Sequence, residues 1–110
     1  MVKLIFYLLV KQSKHDEYVD HLRNKILDDY DSVLTNVPIY LKKKRKKRLV
    51  GEIDLLAKKG SVYDIYEVKC SHRITKARMQ MKKLRKNLVS THKIDRAYFY
   101  CGSSEKLFEI

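Results

Sequence analysis

The sequence predicts a single mixed α/β domain in which a strand, a helix, three strands, a second helix and a final strand follow one another. Runs rich in β-branched and aromatic residues alternate with two stripes of helical period, and 110 residues suffice for one core of two or three layers but not for two. The strand, helix, strand unit from Val62 to Cys101 should form a parallel pair with a right-handed crossover, because such connections nearly always take that hand. The three middle strands, joined by short turns, should form an antiparallel meander.

Leu4 to Val10, LIFYLLV, is an apolar run bounded by Lys3 and Lys11, which suits a strand. It is far too short for a membrane span and has no small-residue cleavage site after it. Ser13 is placed to cap a helix, with Asp16 and Glu17 in the first turn, where the helix dipole favours negative charge. Val19, Leu22, Ile26 and Tyr30 then recur at helical spacing, predicting about four turns that end in the polar cluster Asp28, Asp29, Asp31 and Ser32. Asn36 and Pro38 punctuate the next connection, and Ile39 to Leu41 looks extended.

Seven consecutive basic residues follow: Lys42, Lys43, Lys44, Arg45, Lys46, Lys47 and Arg48. Apolar segments flank the run, which places it at the end of one strand, across a turn and into the next. A strand is expected over Leu49 to Ala57, a hairpin turn at Gly60 and another strand over Val62 to Cys70. Ile74, Ala77, Met81, Leu84 and Leu88 form a helical stripe with Lys76, Lys82, Lys83 and Lys86 away from it, the pattern of an amphipathic basic helix. Ile94 to Cys101 is a last strand, and the remaining residues read as a short tail or partial helix.

Lys and Arg number 25 against 13 acidic residues, giving a net charge of +12. Such an excess repels itself in a compact chain and is most simply understood if the partner is a polyanion, nucleic acid before an anionic membrane surface. The basic run and the helix lysines Lys82 and Lys83 are the candidate phosphate contacts, with a solvated hairpin tip as the alternative for the run. The basic helix lacks a large aromatic face to insert into lipid, which argues against membrane binding. Nothing points to a small-molecule substrate. Two cysteines, Cys70 and Cys101, without CxxC pairing fit a reducing, intracellular setting, cytoplasmic or nucleoid-associated, with free thiols as the default over a disulfide.

Three hydrophilic side chains interrupt the apolar strands: Asp54 on one, Glu67 and Lys69 on the next. If the hairpin closes around Lys59 and Gly60, Asp54 and Glu67 fall close to opposite each other. Two carboxylates held together repel unless a cation lies between them, and hard oxygen ligands suit Mg²⁺, with Mn²⁺ able to substitute. Lys69 would orient the attacking water or stabilise charge on the phosphorane. The alternative is a structural ion-pair set on an exposed sheet face.

The segments GEID and EVK resemble the signature of the PD-(D/E)xK nuclease superfamily, most similarly that of the small archaeal Holliday junction resolvases. The resemblance implies a restriction-endonuclease-like core of helix, three-strand meander, helix and parallel strand, here with an extra N-terminal strand. It implies a Mg²⁺-dependent endodeoxyribonuclease, with Asp54 and Glu67 as metal ligands and Lys69 assisting the water. Branched or structured DNA is the implied substrate, ahead of RNA, and a homodimer the implied assembly, with Leu4 to Val10 as a contributor to its interface. The proline that names the motif is replaced by Ile53. A helical glutamate that completes the metal shell in the resolvases would correspond to Glu17 by residue type, although Asp16 lies nearer the apolar stripe. Gln80 matches a glutamine frequent on the second helix. His15 falls on the apolar stripe, where a satisfied core histidine is the commoner role than a ligand. The eight tyrosines read as core and sheet-face residues rather than a base-stacking platform.

Overall fold

The computed structural model describes residues 13–71, 74–88 and 93–110, and the side chains among them except at 41–43, 50, 84, 85, 87 and 88. The expected strand over Leu4 to Val10 lies outside the described residues. From Ser13 onward the order is α1 (Lys14–Ile26), a 3-10 turn (Leu27–Asp29), β1 (Ser32–Lys43), β2 (Lys46–Lys59), β3 (Val62–Lys69), α2 (Ile74–Leu88), β4 (Ile94–Cys101) and β5 (Lys106–Glu109). The described strands form one sheet in sequence order, parallel only between β3 and β4.

Local chemistry accounts for the helix start. The Ser13 hydroxyl accepts from the Asp16 amide at 3.1 Å, and Asp16 and Glu17 occupy the positive end of the helix dipole. Val19, Leu22 and Ile26 are the buried residues of α1, and they pack on Val33, Leu55, Ala57, Tyr66, Val68 and Tyr100. From the other helix, Met81 packs with Ile53, Leu56, Ile65 and Ala97, and Ala77 with Phe99 and Cys101. Because neighbours on β3 and β4 divide between these groups, the helices cover opposite faces of the sheet. The result is a three-layer α/β/α sandwich.

Two expectations are corrected. The connection expected around Asn36 and Pro38 is instead part of a strand running from Ser32 to Lys43. Among the described strands β1 has a partner on one side only, so a proline without an N–H is tolerated there, and Asn36 takes a left-handed backbone (φ 52), which asparagine accepts more readily than most residues. The residues expected as a tail or partial helix form β5, antiparallel to β4, with Phe108 stacked on Phe99 at 6.0 Å. Cys70 is exposed and Cys101 buried, and both are free thiols.

Register changes where the site lies. A regular strand would put Ile53, Leu55 and Ala57 on one face, yet Leu55 and Ala57 pack under α1 while Ile53 packs under α2. β1 makes the same switch, with Val33 under α1 and Val37 and Ile39 under α2. Asn36, between the pairs Thr35 to Leu55 and Val37 to Ile53, sits at the changeover opposite Asp54. Reversal of the pleat there frees Asp54 from the regular alternation.

Candidate metal centre

The β2–β3 ladder runs from Lys59 opposite Val62 to Leu55 opposite Tyr66, and one more step in the same register brings Asp54 to Glu67. At that step a side chain takes part: the Val68 amide donates to Asp54 Oδ2 at 2.8 Å. β3 meanwhile keeps its parallel pairing with β4, through Glu67 to Phe99, Val68 to Tyr100 and Lys69 to Cys101. The carboxylate therefore sits in the opening between two strands and is fixed by one of them.

Asp54 and Glu67 are the two buried charged residues among those described, with 6% and 5% of their surface exposed. Of the reading as an ion-pair set on an exposed sheet face, the exposure is corrected, since both acids are interior. Lys69 Nζ does lie 3.0 Å from Glu67 Oε1, an ion pair at the edge of the cluster. Burial, and then the neighbouring Asp54 charge, push Glu67 up from its ordinary 4.5 to about 7, against the pull of Lys69 and His15. Even with Lys69 and His15 beside the pair, Glu67 stays pushed toward its neutral form.

His15 reaches the site from the first turn of α1. Its Nε2 lies 3.0 Å from the Val68 carbonyl and 3.3 Å from Asp54 Oδ2. A carbonyl only accepts, so Nε2 carries the proton and is shared between the two oxygens. In this arrangement the imidazole clamps Asp54 to β3 and is not a metal donor through Nε2. Nδ1 faces Asp16 Oδ1 at 3.8 Å. Oδ2 of Asp54 is thus held by two donors, leaving Oδ1 as its oxygen for a cation.

The remaining candidates are placed as follows. Glu17 is exposed on α1, its amide bonded to the Ser13 carbonyl at 3.0 Å, and it is not brought to the carboxylate pair. Residue type favoured Glu17; the helical stripe that buries Val19, Leu22 and Ile26 selects His15, four residues before Val19, for the inward position. That stripe was the signal in the sequence for His15. Gln80 is half-buried on α2, and its Oε1 is buried with no hydrogen-bond partner among the described residues. Lys82 and Lys83 are exposed on α2. Lys44, Arg45, Lys46, Lys47 and Arg48 are exposed around the β1–β2 turn, while the side chains of Lys42 and Lys43 are outside the description.

Among the described residues no three His, Cys, Asp or Glu side chains converge as a ready-made metal cage. Mg²⁺ does not need one, since it commonly binds through one or two carboxylates and keeps several waters. The residues present fit that mode: two buried carboxylates, one of them with an oxygen, Asp54 Oδ1, that neither the Val68 amide nor His15 holds. No protein-family model and no curated protein sequence matches this chain. Among the described residues no helix is long and apolar enough to cross a membrane.

Proposed function

We propose that this chain is a metal-dependent DNA endonuclease of the PD-(D/E)xK kind, hydrolysing phosphodiester bonds in branched or structured DNA. The observation that carries the reading is the burial of Asp54 and Glu67 one step beyond the last pair of the β2–β3 ladder, with Lys69 on Glu67 and Glu67 still pushed up by burial and by Asp54. Helix, three-strand meander, helix and parallel strand, the order from α1 to β4, supports a restriction-endonuclease-like core. The net charge of +12 supports a polyanionic substrate.

Mg²⁺ or Mn²⁺ held by Asp54 Oδ1 and Glu67, with waters completing the shell, would supply Lewis-acid polarisation of a phosphoryl oxygen and a water of lowered pKa. The chain's own residues do the positioning. Val68 N–H and His15 Nε2–H fix the Asp54 carboxylate, and Lys69 fixes Glu67. Lys69, only partly exposed, retains two further N–H donors for a water or a phosphorane oxygen. Gln80, with its carbonyl unpaired, is the positioning residue on α2. A homodimer would present two such sites to two strands, and a nucleic-acid substrate together with the two free cysteines supports an intracellular setting.

Labelled four-way junctions and linear duplexes incubated with Mg²⁺ or Mn²⁺ test this directly. Wild type should cut and Asp54→Asn should not; equal behaviour of the two sinks the catalytic reading. A second reading, a non-catalytic basic nucleic-acid-binding protein, is favoured by the net charge of +12 and the exposed cationic β1–β2 turn, which need no metal. It predicts binding with steep salt dependence that ignores divalent metal.

A further inference from the structure

The β1–β2 hairpin carries the densest charge in the molecule and is joined to the carboxylates by unbroken backbone. Residues 32–51 include seven basic residues and no acidic one. Lys44, Arg45, Lys46, Lys47 and Arg48 are all exposed, and no ion pair among the described residues neutralises them. A chain under selection only for solubility has no need to concentrate cations on one turn, where their mutual repulsion opposes closure. Lys44, Arg45, Lys46 and Arg48 line a concave groove of ≈ 680 Å³ whose walls are largely their aliphatic stems, with the cationic heads belonging to the same side chains.

At the base of this tip the cross-strand pair Tyr40 and Leu49 stands 56% and 58% exposed. Two large apolar side chains left in solvent beside a ring of cations suit a surface that offers both phosphate and less polar sugar edges. β2 runs from Lys46 to Lys59 and carries Asp54 within it, so tip and site are parts of one strand. At ~3.3 Å per residue, Arg48 stands at most about 20 Å and Lys46 at most about 26 Å from Asp54 along β2, whose register with β1 shifts between Ile39 and Tyr40. These spans cover at most about three quarters of the ~34 Å of one turn of duplex DNA.

We infer that the hairpin is an arm that grips the backbone of duplex DNA about half a helical turn or more from the phosphodiester at Asp54 and Glu67. The inference rests on the nuclease reading for the position of the cut, and it makes duplex on one side of the cut a requirement for tight binding. A substrate ending within a few base pairs of the site leaves the arm empty. An anionic bilayer shares the charge but offers no fixed spacing to the carboxylates, which is why DNA is preferred here.

The test uses binding without turnover, with Ca²⁺ in place of Mg²⁺. Fluorescence anisotropy would follow labelled duplexes of 8 and 20 base pairs at several salt concentrations. The comparison is between wild type and a variant with Lys44→Ser, Arg45→Ser, Lys46→Ser and Lys47→Ser. Wild type should prefer the longer duplex by about tenfold beyond the statistical gain in sites, and the variant should lose that preference. The variant's slope of log K against log salt should be shallower by about 3 to 4. A second variant, Lys44→Gly with Arg45→Asn, suits the left-handed backbone of Lys44 (φ 57) and guards against misfolding; its slope should change by about 2. Unchanged slope and unchanged length preference in a folded variant overturn the arm. So does a variant that loses adhesion to phosphatidylserine vesicles while binding DNA as before. Cleavage plays no part in these readouts, so a chain that never cuts DNA would defeat the nuclease reading and leave the arm to be judged on binding.

Discussion

Asp64 and Glu67 lie three residues apart on β3, and the chain treats them in opposite ways. Asp64 has a neutral donor for each oxygen: the Tyr30 hydroxyl donates to Oδ2 at 2.6 Å and the Arg96 amide to Oδ1 at 3.0 Å. Tyr30 OH also meets Tyr66 OH, and Tyr66 stacks on Tyr98 at 4.8 Å. Burial pushes Tyr66 up to about 12 and Tyr30 further, so both phenols stay protonated and Tyr30 remains a donor. Glu67, by contrast, faces another buried carboxylate and holds one lysine. A carboxylate serving structure is surrounded by donors; a pair left short of positive charge is set to receive a cation.

Removing one member of the pair should have the largest effect. Asp54→Asn is expected to lower cleavage of a labelled junction by about three orders of magnitude, the scale of losing a principal electrostatic group, while circular dichroism stays native. In the same variant, carboxyl ¹³C shifts followed against pH should show Glu67 titrating lower than in wild type, because its negative neighbour is gone, with burial still holding it above its ordinary value. A Glu67 that still titrates near 7 would assign its shift to burial alone.

The pH dependence of stability comes next. Glu67 titrates near 4.5 when unfolded and near 7 when folded, so between these values the folded state binds more protons. Stability therefore falls as pH rises through that window, by roughly 3 kcal/mol once both states are ionised. Urea midpoints of the metal-free protein should drop between pH 5 and 8, and Mg²⁺ or Mn²⁺ should restore them at pH 8. A midpoint that rises over that range, or ignores both metals, breaks the contrast with Asp64.

His15→Ala leaves the pair in place but releases Asp54 from its clamp. Loss of a group that orients a ligand costs about 10- to 100-fold in metal affinity, to be read by calorimetric titration with Mn²⁺. Glu17→Ala, on the exposed side of the same turn, should leave that affinity unchanged. The smallest effect belongs to the other carboxylate. Tyr30→Phe should cost about 1–2 kcal/mol of stability by removing the hydroxyl shared between Asp64 and Tyr66, with junction cleavage as in wild type.

The parts of this comparison were unequally legible in the sequence. Asp54, Glu67 and Lys69 stood out because polar residues broke apolar strands, and the Lys59–Gly60 turn fixed their register. His15 was visible on the apolar stripe of α1, but a histidine there is silent about what it meets until β2 and β3 are in place. Asn36 and Pro38 read as a break because turn-forming residues usually interrupt strands; here Asn36 is left-handed, the pleat reverses and the strand continues. β5 has no local signature, since Lys106–Glu109 becomes a strand only against β4, with Phe108 on Phe99. The turn at Lys44 and Arg45 lacks glycine and asparagine, so its position followed only from the apolar flanks.

The most direct measurement is anomalous diffraction from a crystal soaked in Mn²⁺ at pH 8. A peak within coordination distance of both Asp54 Oδ1 and a Glu67 oxygen, with His15 still on Oδ2, is the predicted result. A crystal that takes up no manganese there, and keeps Lys69 on Glu67 as the pair's sole cation, would contradict a metal centre.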